Sequence, residues 1–328
     1  MPWPLIKLVP MKTNLGFVRF AFFASFVSVA AVIGSFASMF TGGFRENPIV
    51  VYEQASGTPM ERLGVILSHG FNLGVDFQGG TLIEVEGKKP IDLAPVRASL
   101  NELGIGEIQV QAFGDTTRAL VRFESKTEGD QTSLNAVQAT LQRVIPDVRI
   151  ARTEVVGPKV SGELFTSGLI ALGLAMLLVM VYIWVRFGLQ FGFGAVLSLL
   201  HDTILTLGVF SVFRLDFTLP IIAGLLTVIG YSMNDTVVVF DRMRTNFRKY
   251  KKLPAGEVID LSINETLSRT LVTAVTALLA SIALYFFGGE TLTGFAICMI
   301  FGIVIATYSS IYIAAPALPL VAPERPTA

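Results

Sequence analysis

The chain is short of the residues from which most metal and redox sites are built. Its 328 residues include one Cys and two His, which excludes a disulfide framework and a Cys/His zinc site. Charge is scarce as well: Lys, Arg, Asp and Glu make up 15% of the sequence, where about 25% is usual in soluble domains. The 25 basic and 25 acidic side chains cancel, so no cationic excess exists to neutralise phosphates and nucleic acid is not an expected partner. What fills the space is apolar, at 52% of residues and a mean hydropathy of +0.64. This is not the composition of a soluble globular protein.

The apolar residues gather in six blocks, 17–40, 164–185, 190–213, 217–240, 267–287 and 292–314. Each can cross a hydrocarbon layer about 30 Å thick, which takes roughly 20 helical residues. Within the blocks stand only four charges, Arg19, Asp202, Asp235 and Arg269. The pattern predicts an α-helical polytopic membrane protein whose one large water-facing segment, 41–163, lies between the first two spans. Lys and Arg in the short connections orient it. Residues 1–16, Arg186, the basic loop 241–266 and the tail 319–328 carry ten basic side chains, against Arg214 alone on the opposite side. Both termini are expected in the cytoplasm, with 41–163 outside it. The first block is longer than the apolar core of a cleaved signal and reads as an anchor.

Within the water-facing segment, Leu82–Val85 alternates as a strand, and Leu93, Val96, Leu100 and Leu103 have helical spacing up to a stop at Gly104. Ile108-Val110-Ala112 and Leu120-Arg122 read as strands around the Gly114-Asp115 turn. Leu134, Val137, Leu141, Val144 and Ile145 make a second amphipathic helix that ends before Pro146, and Val148–Val156 is a last strand. The order βαββαβ is the ferredoxin-like arrangement, with a core of about 71–157. It offers no nucleophile constellation or phosphate loop and reads as a folding or binding module rather than an enzyme.

An ionisable group at mid-membrane costs at least about 2.5 kcal/mol and is a functional candidate for that reason. Asp235 lies toward the cytoplasmic end of the fourth block, with Tyr231 and Gly224 on its helical face. Arg269 opens the fifth, with Thr273, Thr276 and Ala280 continuing its face; Asp202 sits near the middle of the third, with Ser198 and Thr206 on its face. Such narrow polar stripes are expected inside the bundle, where backbones approach closely. His201, about 100° around the helix from Asp202, reads first as a packing residue.

Three runs carry a family resemblance: Val75-Asp76-Phe77-Gln78-Gly79-Gly80-Thr81, Gly230-Tyr231-Ser232-Met233-Asn234-Asp235-Thr236 continuing to Asp241-Arg242, and Asn264-Glu265-Thr266-Leu267-Ser268-Arg269-Thr270. Together with Leu200-His201-Asp202 they closely resemble the SecF family of bacterial protein translocase subunits, over nearly all of Asn72 to Ala315. Residues 41–71 depart from the family pattern. The resemblance implies a six-span bundle of the resistance–nodulation–division type bearing an extracytoplasmic domain. It implies work in the inner membrane with SecD, the SecYEG channel, YajC and the preprotein, powered by the proton gradient without a cofactor. Asp235 and Arg269 take the family's intramembrane acid and base in that reading, with Asp202 and Asn234 as further relay members and Asp76, Gly79 and Gly80 as the domain motif. The alternatives are a structural assembly subunit and a proton-driven exporter half for a small-molecule or lipid cargo. An aspartyl protease built on Asp202 and Asp235 is disfavoured, since His201 and Asn234 stand where Tyr and Gly are expected.

Overall fold

The computed structural model describes residues 13–45, 47–54, 69–105, 108–113, 115–123, 131–145 and 147–318. The termini 1–12 and 319–328, residues 55–68, Gly114 and Pro146, all used in the reading above, lie outside them. The chain divides into two units, Leu73–Leu169 and the remainder.

The smaller unit runs α3 (Val75–Gln78), β1 (Gly80–Glu86), α4 (Leu93–Asn101), β2 (Ile108–Phe113), β3 (Asp115–Phe123), α5 (Gln131–Val144) and β4 (Arg149–Val156). The strands order as β2-β3-β1-β4, every neighbour antiparallel, with Thr81 opposite both Phe123 and Val155. That is the ferredoxin-like topology. One apolar cluster joins Ile83, Val85, Val110 and Val121 of the strands to Val96 and Leu100 of α4 and Val137 and Leu141 of α5. A smaller one joins Leu82 and Leu120 to Val75, with Val156 alongside. The helix limits follow local chemistry. Asp92 accepts the amide of Ala94 at the start of α4, and Gly104 follows its end at φ +63°.

The larger unit contains α1 (Val18–Phe40), α2 (Pro48–Gln54), α7 (Leu189–Val212), α8 (Leu219–Lys249), α9 (Ala255–Phe287), α10 (Glu290–Ser309) and a π-helical turn, Ser310–Ala314. The helix α6 (Pro158–Phe187) enters it from the smaller unit. Among the described residues six helices are long and apolar enough to cross a membrane. Two boundaries differ from the sequence expectation. The stretch 241–266 is mostly helix: α8 continues to Lys249 and α9 already starts at Ala255. Its charges disguised a buried face in which Met243 and Phe247 pack with Val258, Ile259 and Ile263. The second span, expected from residue 164, begins earlier, since α6 starts at Pro158.

Close approach is achieved at small residues. A Cβ on Gly194 of α7 would stand 2.5 Å from the carbonyl oxygen of Ala314, so the π-turn lies directly on this helix. Residues 69–72 are strapped to the α7–α8 connection. Ser211 Oγ donates to Gly70 O at 2.8 Å, Arg214 donates to His69 O at 2.7 Å, and Asn72 donates to the Asp216 carboxylate.

Candidate functional site

The buried polar groups of the bundle converge where α7, α8, α9 and the end of α10 meet. Asp235 is 5% exposed, and Thr270 of α9 donates its hydroxyl to Oδ1 at 2.6 Å. Its Oδ2 is buried without a hydrogen bond among the described residues. The next residue, Thr236, is fully buried and meets Ser310 at 3.2 Å, at the first residue of the π-turn.

Asp202 is held in the opposite manner. Ser232 of α8 and Ser309 of α10 both donate to its Oδ2, at 2.6 and 2.8 Å, while His201 Nδ1 lies 3.0 Å from Oδ1. Ser198, one turn back on α7, donates to Ser309 at 2.9 Å. His201 therefore does more than pack. With Asp202 as acceptor its Nδ1 is the donor, and its buried Nε2 has no partner among the described residues. Its ring lies against Tyr308, which donates to Ala24 O of α1 at 2.8 Å.

The remaining sequence candidates lie elsewhere. Asn234, one residue from Asp235 and so about 100° around α8, is exposed within this chain. Arg269 is also exposed and makes no ion pair with Asp235, although it is near enough to act on it electrostatically. Of the stripe Arg269, Thr273, Thr276 and Ala280, expected inside the bundle, Arg269, Thr276 and Ala280 are exposed and Thr273 is half-buried. The buried face of α9 is instead Ser262, Thr266, Thr270 and Ala274. The displacement has a simple cause. Thr270 is one residue from Arg269, and the compact hydroxyl reaches the carboxylate without burying a guanidinium.

Asp76, Gly79 and Gly80 form the turn from α3 into β1. Gly79 holds φ +76° with ψ 178°, and Gly80 holds φ +107°, conformations essentially reserved for glycine. Gly80 opens β1, one of the two inner strands of the sheet. Asn264 and Asp260 were not anticipated. Asn264 exchanges bonds of 3.0 and 2.8 Å with the Leu15 backbone, and Asp260 accepts the Val18 amide at 2.9 Å, fixing the entry to α1. Glu265 pairs with Arg242 and accepts from Asn246, each at 2.6 Å, tying α9 to α8. Among the described residues no group of three or more His, Cys, Asp or Glu is placed to hold a metal ion.

Residues 136–323 match the family described as protein export membrane protein SecD/SecF, C-terminal, and residues 64–91 match the SecD/SecF GG motif. The protein translocase subunit SecF of Rickettsia bellii is 46% identical over 257 residues, 78% of this chain and 85% of that protein. The SecF subunit of Rhodobacter capsulatus is 40% identical over 324 residues, 94% of this chain and 89% of its own. The crystal structure of SecDF from Thermus thermophilus, a translocon-associated membrane protein, superposes with a TM-score of 0.76 at 29% identity. It matches 95% of this chain, which spans only 39% of that longer one.

Proposed function

Since this chain belongs to the SecD/SecF family of protein export membrane proteins, we propose that it is an accessory subunit of a bacterial Sec translocase. It uses the proton-motive force, together with SecD, to promote passage of preproteins leaving the SecYEG channel, with YajC as a further neighbour. It sits in the inner membrane with both termini cytoplasmic and the ferredoxin-like domain outside. Its role is mechanical coupling rather than chemistry on a substrate.

The observation that carries the proton-coupled part is Asp235. It is the buried acid with one oxygen held by Thr270 and the other open. An aspartate sealed from water near a guanidinium is subject to opposed influences on its proton affinity, which is what reversible loading requires. One charge crossing about 100 mV supplies about 2.3 kcal/mol, and each pH unit about 1.4 kcal/mol. That is enough to shift a packed bundle between two arrangements and too little to unfold a cargo. Support for a helical partner comes from the outer face of α8, where Ala223, Thr227, Gly230 and Asn234 are exposed at successive turns. Small and polar residues in that spacing suit a second bundle, which would also cover Arg269. The domain is the output element.

The test is preprotein export into inverted vesicles with and without an uncoupler. Asp235→Asn retains size and hydrogen bonding while removing titration, so it should insert normally and lose the uncoupler-sensitive stimulation. A fully active, uncoupler-sensitive Asn variant eliminates Asp235 as the carrier.

A further inference from the structure

We propose that Asp202 is a positioning residue for Asp235, a latch on three donors rather than a second carrier of the proton; this rests on the proton-coupled reading of Asp235. The two acids differ in how their oxygens are spent. Both oxygens of Asp202 are occupied, Oδ2 by Ser232 and Ser309 and Oδ1 by His201, whereas Asp235 has a buried oxygen with no donor at hydrogen-bond distance among the described residues. Putting a proton on Asp202 would turn an acceptor into a donor, which either expels one of the three partners or forces His201 into its other tautomer. Nor can His201 take it cheaply. A proton on the buried Nε2 would create a donor with no acceptor beside it.

The partners of Asp202 reach Asp235 by two covalent routes. Ser232 is three residues before Asp235, so its bond to α7 fixes the helical turn on which Asp235 stands. Ser309 directly precedes Ser310, which meets Thr236 at 3.2 Å. The chain between them enters the π-turn, whose wider ring is an unstable piece of helix that needs outside support. Ser198 supplies that support a second time, through Ser309. One carboxylate thus clamps α7 to both elements that shape the pocket of Asp235. The titratable groups nearest the two acids are His201 on α7, Tyr231 on α8, Arg269 on α9 and Tyr308, which stacks on His201 from α10.

The experiment compares Asp202→Asn, Asp235→Asn and the double variant Ser232→Ala/Ser309→Ala in the full chain with its partners in native membranes. In Asp202→Asn the amide oxygen can accept both serines and the amide nitrogen can donate to the other tautomer of His201. This variant leaves His201 with an unpaired Nε2–H, so it should melt below the wild type yet keep at least about half of the uncoupler-sensitive export. The serine variant leaves the carboxylate charge in place but breaks the latch. The second readout is the rate at which dicyclohexylcarbodiimide labels Asp235, which needs no export. It should change at least about threefold in the serine variant, the equivalent of about half a pH unit. Restoring hydroxyls with Ser232→Thr/Ser309→Thr should bring the rate back toward the wild-type value. Two results overturn the proposal. One is an Asp202→Asn protein that stays folded and labels at the wild-type rate yet is as silent as Asp235→Asn, which makes Asp202 a carrier. The other is an unchanged labelling rate in Ser232→Ala/Ser309→Ala. If Asp235→Asn itself exports normally, the proton-coupled reading fails, and the labelling rate still decides whether the latch positions Asp235.

Discussion

The α+β domain and the helical bundle differ in what they bury beside their apolar side chains. In the domain, the fully enclosed positions are apolar, such as Ile83, Leu100, Val121 and Leu141. In the bundle, α6 is the most apolar span and only 11% of its apolar stretch is buried, whereas α7 and α8, the least apolar, are buried to 61% and 56%. Water drives the first pattern. In lipid there is no gain from hiding a Leu, so the interior collects the serines, threonines, glycines and acids that need partners or allow close contact. The bundle seals Ser198, Asp202, Ser232 and Asp235 among its buried apolar side chains, and the sheet's centre has no comparable cluster among the described residues.

Substitutions that exchange the two rules should therefore have unequal effects. The largest is expected for Ile83→Asp, which puts a carboxylate at the centre of the sheet. A cost above about 4 kcal/mol would unfold the domain, seen as loss of its protease-resistant fragment. A resistant domain would mean that the sheet tolerates what a dry core cannot. Next comes Thr236→Leu, which is apolar-for-polar in the bundle interior. It should lower the melting temperature by the equivalent of about 2–3 kcal/mol, because Ser310 loses a partner and the added bulk has no room. Gly194→Ala should cost about 1–3 kcal/mol by driving a methyl into the carbonyl of Ala314. Asn264→Ala removes the clamp on Leu15 and should cost about 1 kcal/mol; a thiol placed at position 15 would then react faster with a water-soluble reagent. The smallest effect belongs to Leu178→Ala on the outer face of α6, within about 0.5 kcal/mol in detergent. A clear fall there would show that this face packs on something within the chain.

The same contrast explains what could be read in advance. Alternation and 3.6-residue spacing located the strands and helices of the domain to within a few residues, since its core obeys the hydrophobic rule. The long apolar runs located the six membrane helices. Their ends were harder. The charged faces of α8 and α9 beyond the bilayer read as loop because the signal used, low charge, describes lipid exposure and not helix formation. Asp235 and Asp202 stood out by charge alone, but Ser309, Ser310 and Thr270 carry no such mark among the many hydroxyls of the spans. Ser232 and Thr270 lay in runs already singled out, where adjacent charges drew the attention.

Composition and pattern by themselves determined the number of membrane helices, the βαββαβ order and the two acids that must have partners, because each follows from local spacing or from the cost of burying charge. Which groups answer those acids was decided only by the tertiary structure. A one-residue step around a helix moves a side chain by about 100°, so whether Thr270 or Arg269 meets Asp235 depends on how α9 is rotated against α8. That rotation is set by the contacts of α9 with α8, Met243 and Phe247 against Val258, Ile259 and Ile263 and Asn246 against Ser262 and Glu265, which join two helices and belong to no run along either one.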